Sequence, residues 1–226
     1  MVVLPEYEGG SYYNMESVTI LRHPLVDEQL QLIRNKESDI VTFRAAMTRL
    51  GHLLAVETLK DAPTGTGKVT TPLNVEVEVS VLKDDKILLV PILRAGLGLV
   101  DSFLNFLPKA RVAHIGMSRD HETLEAKLYV NSLPKNMSDF EQVIVLDPML
   151  ATGNSCVKAL EVLTEAGVDA GRLKVVCAFA VKEGINQINS KFPEVKLVTA
   201  TVDPVLNNIG YISPGCGDAG DRLYLL

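Results

Sequence analysis

Apolar residues recur along the chain with two periods, and those periods lay out its elements. Ile40, Phe43, Met47, Leu50 and Leu54 return at helical spacing. They predict a long helix to about Leu59, with Ser38 as its N-cap. Pro24 is placed to open a shorter helix carrying Leu25, Leu30, Leu32 and Ile33. Over residues 73–82 the period drops to two. Val75, Val77, Val79 and Val81 face one way and Glu76, Glu78 and Ser80 the other, the pattern of a half-buried strand. It places residues 69–86 in an antiparallel β-arm beside a main sheet.

Strands are expected at 87–93, 111–117, 143–146, 174–181 and 196–202, the first of them a continuous apolar run. Runs without alternation are expected of parallel strands covered on both faces. Helical patterns fall between them: one to about Leu107, one from Cys156 to about Ala166 closed by Gly167, and a short one from Ile185. Strands alternating with helices imply an α/β fold with a doubly wound parallel sheet, here one domain over residues 1–226. Ligands bind such sheets beyond the carboxyl ends of the strands. Arg94, Arg119, Asp147 and Asp203 each follow a strand end and are expected to meet on one rim. Residues 1–18, with Tyr12 and Tyr13, read as an N-terminal arm, 61–68 as a turn, and 118–137 as a polar connection. Residues 203–226 form a tail whose 207–224 stretch is rich in Gly and Pro, with too little pattern for a helix.

Composition narrows the classes. The chain is 47% hydrophobic, enough to bury a full core, yet its longest apolar runs fall far short of a membrane span. Its start lacks the basic-then-apolar layout of a secretory signal. Cys156, Cys177 and Cys216 are odd in number and widely spaced, which suits neither a disulfide framework nor a zinc site. A cytoplasmic setting is expected. The net charge of −6 shows no basic stripe for nucleic acid, but small anionic ligands need only a few local donors. DAPTGTGK (61–68) is not a P-loop: Ala62 stands where the first glycine belongs, and Val69 follows Lys68.

Candidate chemistry centres on VIVLDPMLATGNS (143–155). An apolar strand runs through Asp147 into Pro148, which is expected to end it. A small-residue loop, 151–155, then enters a helix. Such a loop exposes backbone N–H groups, and the helix start adds the positive end of its dipole. Thr152 and Ser155 offer hydroxyls to the same anion, and Asp147 can accept from sugar hydroxyls or share a metal ion. By local physics alone the stretch is equally an ordinary strand-to-helix turn.

Its wording, DPMLATG, resembles the phosphoribosyl diphosphate (PRPP) loop of type I phosphoribosyltransferases, in the form used by the uracil phosphoribosyltransferases. Three more segments carry the resemblance. PILRAGLG (91–98) is similar to the family's pyrophosphate loop, where Arg94 can pair with phosphate in a fork. GMSRDHETLE (116–125) is similar to its flexible loop, with Arg119 placed for the diphosphate; His121 and Glu122 read as solvated loop residues. NNIGYISPGCGDAGDR (207–222) resembles the uracil-binding segment. The chain departs from the pattern at Asn154, where the family usually has a second glycine. Asn tolerates a left-handed backbone, so the loop is expected to survive with its N–H available.

The resemblance implies transfer of the phosphoribosyl group of PRPP to uracil N1, giving UMP and diphosphate. It implies Arg94, Arg119, Asp147, Pro148, Met149, Leu150, Ala151, Thr152, Gly153, Asn154, Ser155 and Asp218 as PRPP contacts. For uracil it implies Tyr211, Ile212, Gly217, Asp218 and Ala219. Asp147, Arg119 and Asp218 are the catalytic candidates; N1–H has no evident strong base, and water or Asp218 can take its proton. Mg²⁺ is the expected cofactor, carried mainly by PRPP without a protein metal site. The resemblance further suggests a homodimer or homotetramer, and GTP as a candidate activator. The alternatives are a silent nucleotide-binding regulator on the same fold and a pyrimidine-sensing RNA binder, the latter disfavoured by the missing basic face.

Overall fold

A computed structural model describes residues 17–119 and 126–225. The expected arm at 1–18 therefore lies outside the described residues, apart from its last two. In chain order, β1 (Val18–Ile20) leads to α1 (Pro24–Arg34) and α2 (Ile40–Thr58). A hairpin follows, β2 (Thr64–Thr70) with β3 (Glu76–Leu82), and then β4 (Ile87–Leu93) and α3 (Leu97–Leu104). Next come β5 (Arg111–Val112), β6 (Ile115–Arg119), β7 (Ala126–Asn131), β8 (Gln142–Leu146), β9 (Met149–Leu150) and α4 (Asn154–Glu165). The chain closes with β10 (Leu173–Val181), α5 (Lys182–Lys191), β11 (Lys196–Asp203), β12 (Val205–Leu206), β13 (Ile212–Ser213) and α6 (Ala219–Tyr224).

The main sheet has the order β1-β11-β10-β8-β4-β6-β7, with β5 beside β4 and β9 beside β10. Its pairs are parallel except β6 with β7. Both faces are covered, which is why β4 reads as an unbroken apolar run. Ile87 and Leu89 of β4 enter one core with α1, α2, α3 and α6; Leu88, Val90 and Ile92 enter the other with α4 and α5. Parallel order brings the ends of β4, β8 and β11 to one rim, so Arg94, Asp147 and Asp203 emerge on the same side.

Several expectations are corrected. The N-cap of α2 is Asp39, whose carboxylate accepts the Thr42 N–H at 2.8 Å; Ser38 instead donates to the Leu32 carbonyl at 2.7 Å. The 61–68 turn is largely strand β2, whose alternating Thr and Gly carry no apolar signal and pair with β3 from Thr64–Leu82 to Thr70–Glu76. The arm is not half-buried within one chain, since Val75, Val77 and Val81 are exposed. The 118–137 connection contains β7, which folds back on β6, and the 111–117 strand divides into β5 and β6. Helix α5 begins at Lys182, ahead of Ile185. The tail holds a small hairpin and the short helix α6.

Candidate active site

The phosphate-loop candidate is built by an interrupted strand. The Asp147 N–H donates to the Val176 carbonyl at 3.1 Å. The Pro148 carbonyl accepts from Ala178 and Phe179, and β9 then rejoins β10 at Met149. Pairing thus resumes past the proline that was expected to end it. The turn into α4 is made by Gly153 at φ +85°. Asn154 is already helical, so the left-handed step falls on Gly153 and the asparagine carries no backbone strain. The N-cap residue, Gly153, has no side chain to cap α4, and the Asn154 N–H donates only a long bond, 3.5 Å, to Thr152 Oγ1. The first-turn donors and the helix dipole are therefore available to an anion. Asp147 and residues 149–156 line a cup of about 80 Å³ at this turn. Pro148 is outside that lining, and the Leu150 side chain is buried in the core.

Asp147 accepts the Met149 N–H at 3.3 Å. Burial pushes its carboxyl up to about 6, against the pull of that N–H. Cys156 and Cys177 lie buried behind it, and burial raises both thiols.

A second cavity, about 320 Å³, gathers the tail against both loops. Tyr211, Ile212, Gly217, Asp218 and Ala219 line it, together with Ala95 of the 91–98 loop and Met149 and Ala151 of the phosphate loop. Met149 and Ala151 belong to both linings, so the two cavities share a wall. Ile209, Gly210 and Gly220 complete the lining. Local sequence assigns no role to these three or to Ala95, although all four sit inside 91–98 or 207–222.

The tail is shaped by specific anchors. The Asn207 side chain accepts the N–H groups of Ile209 and Tyr211, at 3.1 and 2.9 Å, and turns the chain into β13. Gly215 sits at φ +52°, where a Cβ would strike the Ile212 carbonyl. Asp203 does not line the site. It is buried beneath the tail, paired with Arg34 and accepting the Gly215 N–H at 2.8 Å. Arg222 donates to the Cys216 and Asn35 carbonyls, at 3.0 and 2.9 Å, with its guanidinium 4.1 Å over the Phe43 ring. Asp218 caps α6 by accepting the Asp221 N–H at 2.8 Å.

Arg94 follows a cis Leu93–Arg94 peptide bond and pairs with Asp221 at 3.7 Å, both side chains about half exposed. Behind it Gly96 is obligatory, because a Cβ would meet the Leu146 carbonyl and the Ile92 backbone. Arg119 ends β6; its side chain, and His121 and Glu122, lie outside the described residues.

The chain is similar to known proteins over most of its length. A family model described as uracil phosphoribosyltransferase matches residues 20–225. The chain is 45% identical over 210 residues to a uracil phosphoribosyltransferase of Rhizobium meliloti (strain 1021), covering 93% of this chain and 99% of that protein. Among solved structures, the AQ2163 protein from Aquifex aeolicus is similar with a TM-score of 0.84 and 36% identity, over 92% of this chain and 98% of that one. The adenine phosphoribosyl transferase from Trypanosoma brucei shares the fold at a TM-score of 0.55 and 14% identity, over 89% of this chain and 88% of its own.

Proposed function

The chain belongs to the uracil phosphoribosyltransferase family, and we propose how its residues move the phosphoribosyl group of PRPP to N1 of uracil, giving UMP and diphosphate. The observation that carries the assignment of roles is the wall shared by the two cavities. A sugar phosphate held at the cup and a flat base held in the larger cavity have their reacting atoms on either side of Met149 and Ala151.

The base is selected by backbone polarity. Uracil offers two carbonyls and an N3–H, whereas cytosine carries an amine at C4 and lacks the N3–H. Backbone groups at Ile212, Gly217 and Ala219 match uracil, and an unpaired buried group on the wrong base costs about 1–3 kcal/mol. Gly215 and Gly217, both at positive φ, turn the backbone that carries those groups without strain. Thr152, Gly153, Asn154 and Ser155 hold the 5-phosphate, whose remote binding energy aligns the ring. Asp147 accepts the ribose hydroxyls and so positions C1. Arg94, released from Asp221, and Arg119 stabilise the leaving diphosphate. The transition state is loose and oxocarbenium-like, with inversion at C1. The N1 proton passes to water or to Asp218, whose second carboxylate oxygen is not used in capping α6.

The donor set suits Mg²⁺ delivered by PRPP. Asp147 gives one oxygen to Met149 and Asp218 one to Asp221, leaving each a second carboxylate oxygen without a hydrogen bond among the described residues. When bound, the ion neutralises diphosphate charge. Self-association is supported by the apolar row Val69, Val77 and Val81 on the hairpin, which one chain leaves exposed. GTP activation rests on the family resemblance, and titrating GTP against rate and assembly size tests it. Three free, buried cysteines agree with a reducing cytoplasm, and no described helix is long and apolar enough to cross a membrane. The direct test is UMP formation from PRPP and uracil with Mg²⁺, with cytosine, orotate and guanine as separate controls. Turnover with uracil alone is expected; equal use of another base removes the proposed backbone selection.

A further inference from the structure

We propose that Gln187 is a positioning residue for the 5-phosphate, acting through the side chain of Asn154. This rests on reading the cup at residues 149–156 as the phosphate site. Asn154 lines that cup and starts α4. Gln187, on α5, donates its Nε2–H to Asn154 Oδ1 at 2.7 Å.

The bond is held in register by close packing of α5 on the loop. Gly184 lies three positions before Gln187, on the same side of the helix. A Cβ on Gly184 would meet the Ala151 carbonyl and the Leu150 side chain. From the other side, a Cβ on Gly153 would lie 3.1 Å from the Gly184 carbonyl and 3.3 Å from Gln187 Oε1. Loop and helix touch through glycine, so Gln187 has little freedom relative to Asn154.

The consequence is a choice of amide orientation. A carboxamide turned one way offers a phosphate two N–H donors; turned the other way it presents a carbonyl oxygen and repels. Gln187 donates, which occupies Oδ1 and leaves Nδ2 as the group available to the anion. Where the family's usual glycine supplies only its backbone N–H, Asn154 supplies that N–H and an oriented side-chain donor. The residue that departs from the family pattern thus adds a phosphate contact, and Gln187 aims it.

The experiment compares Asn154→Ala, Gln187→Ala and the double variant. Its readouts are the Kd of ribose 5-phosphate by calorimetry and the KM values for PRPP and uracil, with melting curves to verify folding. Gln187→Ala is expected to weaken ribose 5-phosphate binding roughly 5-fold and to raise KM for PRPP in parallel, as partial loss of a charge-assisted hydrogen bond does. KM for uracil stays unchanged. The double variant binds no more weakly than Asn154→Ala, because the two residues act as one unit. Wild-type affinity in Gln187→Ala, or losses that multiply in the double variant, overturns the proposal while leaving the phosphate cup intact. A wild-type enzyme that does not bind ribose 5-phosphate overturns the cup assignment itself.

Discussion

Arg34 grips Asp203 through both terminal guanidinium nitrogens, at 2.8 and 2.6 Å, across a sequence separation of 169 residues. The carboxylate is fully buried, and Arg34 also donates to the Gly215 carbonyl at 3.0 Å while its guanidinium lies 4.8 Å over the Phe179 ring. The clasp ties the end of α1 and the end of β11 to the tail that lines the base cavity. Arg34→Ala leaves a buried charge without its partner, a loss of about 3–5 kcal/mol. Urea unfolding measures it. Because the Gly215 carbonyl loses its donor, KM for uracil rises more than KM for PRPP; equal rises show that the clasp serves stability alone.

Asp147 sets an acid limit. Its folded carboxyl holds a proton up to about pH 6, whereas in the unfolded chain it ionises near 4. Between those values the folded state binds more protons, so stability falls as pH rises through the window, and the full penalty persists above it. Asp147→Asn removes that penalty and is expected to raise free-enzyme stability at pH 8 by at most about 3 kcal/mol. Turnover falls severely in the same variant. In the wild type, kcat/KM for PRPP drops below about pH 6 as the carboxylate is lost. Near-normal turnover in Asp147→Asn contradicts its ribose role.

Gly184→Ala probes the buttress under the phosphate loop. The added Cβ meets the Ala151 carbonyl, a backbone atom that moves only with the loop. Expected is a loss of PRPP affinity of at least roughly 10-fold, in line with the cost of misplacing a substrate-holding group by an ångström. PRPP titration at fixed uracil reads it, and unchanged KM shows that α5 yields instead.

Val77→Lys tests the hairpin. Val77 is exposed on β3 opposite Val69. A charge there is expected to shift the assembly toward monomer, as seen by light scattering. An unchanged mass places the subunit contact elsewhere.

The elements were legible where burial is two-sided or strictly periodic. The apolar runs of β4, β8, β10 and β11, the stripe of α2 and the Gly167 stop of α4 all lie where the periods put them. Elements held by pairing rather than by their own apolar pattern escaped. Strand β2 is Thr and Gly, β7 is mixed, and α6 is one cap and a turn and a half of helix. Their stability comes from neighbours distant in sequence, which a local window does not contain.

The site divides along the same line. Local order alone set out Asp147 at a strand end, the small-residue turn after it and the Gly/Pro tail, because each is a short-range backbone requirement. Whether those segments touch was decided by the parallel sheet, which carries three strand ends to one rim and lays the tail beside Met149 and Ala151. Folding also buried Asp203, expected only on the rim, as an anchor for the tail, and put Gln187 beside Asn154. Such pairings depend on distances through space, and residues tens to hundreds of positions apart leave no joint signature in one chain.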